Sequence, residues 1–187
     1  MFSITQNGKP LHPSKYTWDE KTKTLSTNEK NLILDFSDYD NVTFHTGYNC
    51  TFKTYSNCTF TTGSNCTFVT NSNCTFTTGK DCIFETKEDC TFDTSWDCTF
   101  VTGDNCTFSS GWNCTFTTGN DCVFNTDWDC TFDTGHDCTF KTGDNCVFST
   151  EENCVIIRKD IFEVIYPEEK KTIKLNNYNV KGYTYIT

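Results

Sequence analysis

The chain has 187 residues, about one domain's length, of which 35% are hydrophobic and 16% aromatic, with a formal net charge of −10. Lysine plus arginine against aspartate plus glutamate runs 5 to 3 in residues 1–33, 4 to 18 in 34–157 and 6 to 4 in 158–187, or +2, −14 and +2. An acidic body between mildly basic ends argues against nucleic-acid binding through phosphate neutralisation, and no apolar run is long enough to span a bilayer.

Residues 1–33 are expected to form an N-terminal β cap. The opening MFSITQNGKPLHPSKY lacks the apolar stretch of an export signal. YTWDEKTKTLST (Tyr16 to Thr27) reads as a hairpin, strand–DEKT–strand, leading through NLILDF into the first coil. All three prolines, Pro10, Pro13 and Pro167, lie outside the central region.

Residues 34–157 are an octapeptide repeat. All fourteen cysteines fall on one series of period eight, from Cys50 to Cys154. Numbered from cysteine, the unit reads Cys-Thr-Phe-x-Thr-Gly-x-Asn/Asp. Position three is Phe except at Ile156, and position five is Thr except at Ser110 and Arg158. The series extends upstream without cysteine as VTFHTGYN (Val42 to Asn49), and more loosely as LDFSDYDN (Leu34 to Asn41). Side chains alternate along a strand, so positions one, three and five face inward, while position four, which holds Lys53, Glu85, Asp93 and Asp133, faces water. Positions six to eight carry turn chemistry: Gly tolerates positive φ, and Asn or Asp bonds to nearby backbone. A helix does not fit, because eight residues at 100° each rotate the Phe stripe by about 80° per repeat.

The expected architecture is an all-β solenoid. Trp96, Trp112 and Trp128 occupy position seven and recur at sixteen, which a two-sided coil of sixteen residues turns into one corner row. About fifteen octads then give roughly seven or eight coils and a rod near 36 Å. Each buried Phe contributes roughly 1.5–3 kcal/mol, which lets so polar a chain fold. Cysteine is a small, readily buried hydrophobe, and in-register stacking gives thiol ladders with parallel Cβ vectors, a poor geometry for disulfides. Residues 158–187 are expected to form a C-terminal β cap with turns at PEEKK and NNYNVKG.

The C-x-F pair followed by T-G resembles pentapeptide-repeat proteins, although the period here is eight. The NCTFxTGxNCTF array, with FEVI…KTIKLNNYNVKGYT after it, more closely resembles uncharacterised octapeptide-repeat proteins of viral, especially phage, origin. That resemblance implies a viral setting and no defined activity. The Cys- and Thr-rich pattern also resembles insect antifreeze proteins, but Lys53, Glu85, Asp93 and Asp133 interrupt the threonine ranks. The G-x-D run is similar to calcium-binding β-rolls, with a different spacing.

No catalytic or cofactor site is expected. The three histidines, His12, His45 and His136, are scattered, no C-x-x-C or H-x-x-x-H pair gives metal spacing, and a cysteine repeated fourteen times is a packing element. The only metal consideration is a hard cation where Asp81 and Asp97, or Asp121 and Asp137, stack. Six N-C-T sequons, the first at Asn49, follow from the repeat itself. The expected function is a non-enzymatic structural or adhesive rod of a virus particle or surface assembly. Its Trp96–Trp112–Trp128 row would meet a protein or saccharide partner, or a second copy of the chain. The alternatives are an acidic DNA-mimic decoy of a host nucleic-acid-binding protein and, less favoured, an ice-binding protein. The chain is expected to be made in a reducing cytoplasm, and to enter virions if the viral setting holds.

Overall fold

The computed structural model describes residues 2–186. It is a β-solenoid of stacked two-sided coils, and the described residues include a single 3-10 turn, Pro13–Lys15, and no α-helix. Successive octads alternate between a 12-stranded and an 11-stranded sheet, and each strand pairs in parallel with the strand sixteen residues away. Thr99–Val101, for example, lies between Ile83–Glu85 and Thr115–Thr117, with Phe100 opposite Phe84 and Phe116. The sixteen-residue coil read from the tryptophan spacing is the observed one.

Phenylalanine builds the core. Within each sheet the rings stack 4.7–5.0 Å apart and within 2–10° of parallel. Across the sheets they meet edge to face, 5.1–5.5 Å apart at 72–82°. Both geometries suit the ring quadrupole, so every interior Phe is satisfied along the rod and across it at once. The cysteines flank these columns at the two corners and are 0–3% exposed.

The corners depart from the expected turn chemistry. The left-handed residue is the Asn or Asp at position eight, with φ of 56–60° at all fourteen from Asn49 to Asn153. Asn and Asp are the non-glycine residues that best tolerate that region, which is why they interchange there freely. The corner glycines have other work, close approach between coils: a Cβ on Gly47 would stand 2.8 Å from the Glu29 carbonyl oxygen, and one on Gly79 would strike Ser64 Oγ. The corner backbone also continues the coil-to-coil ladder, as where Asp81 N donates to the Trp96 carbonyl at 3.2 Å.

Both ends of the parallel stack are closed by antiparallel strands. Ser3–Gln6 covers Leu32–Phe36, and Lys9–Pro10 forms the edge beyond it. The hairpin read from YTWDEKTKTLST is present as Thr17–Asp19 on Thr24–Ser26. Its second strand already belongs to the parallel ladder, with Leu25 opposite Phe44. At the far end Thr172–Leu175 covers Val147–Ser149, Tyr183–Tyr185 covers that strand in turn, and Val164–Ile165 covers Val155–Arg158. Such covers blunt the edges where another chain could pair, and Pro10 has no amide hydrogen to offer.

The LDFSDYDN octad needs correction by two residues. Leu34, not Phe36, sits opposite Phe52, which puts Leu32 at the cysteine position and Phe36 opposite Thr54. The cause is packing in the cap: Phe36 stacks on Phe2 at 4.4 Å and meets Trp18 and Tyr39, so it is drawn to the corner and the following turn lengthens.

Candidate functional site

Position seven of one corner forms the rank Tyr48, Ser64, Lys80, Trp96, Trp112, Trp128 and Asp144. The corner backbone that carries it is braced from inside by the thiols. Each cysteine Sγ donates toward the carbonyl of position seven in its own corner, at 3.3–3.7 Å, and most approach a second carbonyl nineteen residues earlier. Beneath the tryptophans these are Cys98, Cys114 and Cys130 on the Trp96, Trp112 and Trp128 carbonyls, at 3.5, 3.6 and 3.5 Å. Cysteine therefore fills the narrow corner and offers a weak donor to its turn.

All fourteen cysteines are buried free thiols. The thiols of Cys114 and Cys82, together with burial, push the Cys98 thiol well up, and the same surroundings act on Cys106 through Cys122 and Cys90. The first rung of each row, Cys50 and Cys58, is held down to about 7 by hydrogen bonds with the thiols of Cys66 and Cys74. With every cysteine at most 3% exposed, a reagent has no path to the thiols in the native fold. Native protein should thus resist alkylation, while denaturation without reductant should open nearly all fourteen to the reagent. Mass spectrometry showing most of them in disulfides would contradict both burial and register.

The three indoles are brought together as the spacing predicts. Trp96 and Trp112 lie 5.8 Å apart at 3°, and Trp112 and Trp128 lie 6.4 Å apart at 0°. Two indoles in one plane would overlap at such distances, so the rings are offset face to face. Each ring therefore covers only part of the next. Exposures of 38%, 36% and 47% leave a continuous aromatic strip along the corner.

The residues beside the strip are placed as follows. Asp97, Asn113, Asp129 and Asn145 form the neighbouring position-eight rail, where Asn113 Nδ2 donates to Asp97 Oδ1 at 2.5 Å and Asn145 Nδ2 donates to Asp129 Oδ1. Alternating amide with carboxylate spares the rail adjacent like charges. Gly111 lies in the corner floor, where an added Cβ would stand 3.5 Å from Trp96 Cβ. Asp93 belongs to the strand entering the corner, Thr91–Asp93.

Three of the four stacked carboxylates considered for hard cations are engaged by their neighbours. Lys80 Nζ lies 3.4 Å from Asp81, Asn113 donates to Asp97, and His136 Nδ1 lies 2.6 Å from Asp137. The Asp137 hydrogen bond raises the His136 pKa above its ordinary value. Among the described residues no group of three or more His, Cys, Asp or Glu side chains has metal-holding geometry, and no helix is long and apolar enough to cross a membrane.

Charged residues interrupt the threonine ranks of both sheets. Lys53, Glu85 and Asp133 lie in the 12-stranded sheet, and Asp93 and Lys141 lie in the other. Thr59, Thr61, Thr75 and Thr77 are consecutive rungs of that second sheet and form an unbroken hydroxyl field bounded by Asp93. Compared with protein-family models, curated proteins and solved structures, the chain matches none.

Two features of the site were missed in the sequence. One is the pair of ammonium groups set over aromatic rings of the rank, Lys30 over Tyr48 at 5.1 Å and Lys80 over Trp96 at 5.8 Å. The other is Arg158, the only arginine in the chain, which is wholly buried at the last position five and anchors the C-terminal cap beside the row's end. Its break with the threonine pattern was the signal that could have found it.

Proposed function

We propose that this chain is a non-enzymatic structural or adhesive module, a stiff acidic rod whose tryptophan corner is the surface that meets a partner. The supporting observation is the strip itself: three large aromatic side chains left more than a third exposed, in register, on a scaffold hydrogen-bonded from coil to coil. Contiguous exposed apolar surface on a folded protein marks an interaction site more often than isolated residues do, and tryptophan is the residue most enriched among interface anchors. The polar rail of Asp97, Asn113 and Asp129 supplies the rim that such surfaces carry. A place in a virus particle or surface assembly is proposed from the resemblance of the NCTFxTGxNCTF array to viral octapeptide-repeat proteins.

Trp112→Ala separates this role from mere self-stacking, since it removes ring contacts on both sides. Lost stacking of about 1 kcal/mol should lower Tm by roughly 2–4 °C and leave the β circular dichroism unchanged. Self-association in sedimentation velocity, or incorporation into purified particles, should fall sharply. If the variant melts lower but associates and incorporates as before, the row is a structural stack and the proposal fails.

A further inference from the structure

The aromatic row has two ends, and they differ. At one end Lys80 Nζ lies over the Trp96 ring, 5.8 Å from its centroid, and earlier in the same rank Lys30 Nζ lies 5.1 Å from the Tyr48 centroid. The chain thus closes these aromatic faces with its own ammonium groups. At the other end the inner face of Trp128 meets Trp112, and its far side opens on a recess of about 230 Å³ under the C-terminal cap. Trp128 and Tyr178 supply its aromatic walls, with Asp127, Asp144, Lys159 and Asp160 around them.

The charges of this recess are unequally spent. Lys159 Nζ is held 3.4 Å from Asp127. Asp160 is taken by Arg158, through contacts of 2.6 and 3.1 Å. Asp144 is the next member of the rank after Trp128, and among the described residues no cation is paired with its carboxylate. An indole face is the negative pole of the ring quadrupole, so a carboxylate beside it is poorly matched until a cation comes between them. Among the described residues no lysine lies over Trp128 as Lys80 lies over Trp96.

We propose that this recess binds an alkylammonium group, held by cation–π contact with Trp128 and by charge pairing with Asp144. The proposal rests on the reading of the corner as a partner surface, and gives that surface an end and a chemistry. The ammonium comes from a lysine side chain of a protein partner or from an amino sugar. Either would continue the pattern that Lys80 begins at the far end of the row.

The test follows the four indole N–H signals of the ¹⁵N-labelled full chain by NMR. The probes are N-acetyl-lysine methylamide, its Nε-trimethyl form, its neutral Nε-acetyl form and glucosamine. Saturable shifts centred on Trp128 are expected with the charged lysine probes, in the millimolar range of a single small contact, and at least tenfold weaker with the acetylated one. Asp144→Asn should weaken binding severalfold and Trp128→Leu should abolish it, as read from the backbone amides of Asp144 and Tyr178 in the same spectra, whereas Glu85→Gln, outside the recess, should leave it unchanged. The stronger of lysine and glucosamine names the source. Equal binding of the acetylated probe, or full affinity in Asp144→Asn with its spectrum otherwise native, overturns the proposal. These small-probe results are independent of Trp112→Ala association, so the recess can fail while the row stands, and the reverse.

Discussion

Arg158→Ala should unfasten the C-terminal cap and cost about 3–5 kcal/mol, the usual penalty for removing one partner of a buried ion pair. The side chain is 0% exposed. Its Nε and Nη2 grip the two oxygens of Asp160 at 3.1 and 2.6 Å, Nη1 donates to the Val180 carbonyl at 2.6 Å, and Nη2 donates to the Asn177 carbonyl at 3.3 Å. Asp160 in turn accepts from Asn179 N at 3.0 Å. One guanidinium therefore joins the last coil to the loop between Thr172–Leu175 and Tyr183–Tyr185, and without it Asp160 keeps a charge with little water to solvate it.

A solenoid's stability is close to a sum of neighbouring contacts, so the damage should be local. Amide exchange should quicken first in residues 158–182, with protection in the central coils retained, and size-exclusion should show association through the uncovered strands. A loss below about 1 kcal/mol in urea denaturation would remove Arg158 from this role. Acid should act on the same lock. Burial pushes the Asp160 pKa up, but the Arg158 guanidinium and the Asn179 amide more than reverse that, and the folded value lies below the ordinary one. A depressed carboxyl contributes stability that is fully present above the unfolded pKa near 3.9 and is lost as pH falls through the folded value. Cap exchange should therefore quicken only below about pH 4.

Phe100→Ala should cost about 3–5 kcal/mol as well, by the cavity it leaves. Phe100 stacks on Phe84 at 4.9 Å and Phe116 at 4.7 Å, and meets Phe92 and Phe108 edge to face, both at 5.3 Å. A hole there breaks its own column and strips edge contacts from the Phe92–Phe108 stack of the other, and the rigid coil ladder around it has little freedom to collapse inward. Phe100→Leu should cost much less, roughly 1–1.5 kcal/mol, because aliphatic residues already hold this position at the rod's ends. Leu25 lies opposite Phe44, Leu34 opposite Phe52, and Ile156 opposite Phe140. Urea midpoints at constant m-value measure both changes. Equal losses for alanine and leucine would show that ring stacking, rather than filled volume, carries the core.

What the sequence determined by itself was whatever one octad expresses locally. Strand alternation put Cys, Phe and Thr inside, and the sixteen-residue recurrence of Trp96, Trp112 and Trp128 revealed the two-sided coil, because a repeat copies its local geometry faithfully. Only the tertiary structure decided matters that depend on what lies one coil away or folds back from the end. Glycine and Asn/Asp both suit a corner, and contact with the preceding coil is what requires a missing Cβ at Gly79 and leaves the left-handed turn to Asp81. The register of Leu32–Phe36 was settled by Phe2, Trp18 and Tyr39 pulling Phe36 into the cap. The face on which Asp93, Lys53, Glu85 and Asp133 fall follows from which sheet each octad joins. The carbonyl partners of Arg158 and the recess beyond Trp128 bring together groups that the octad pattern does not place, since Asn177, Tyr178 and Val180 belong to the C-terminal cap.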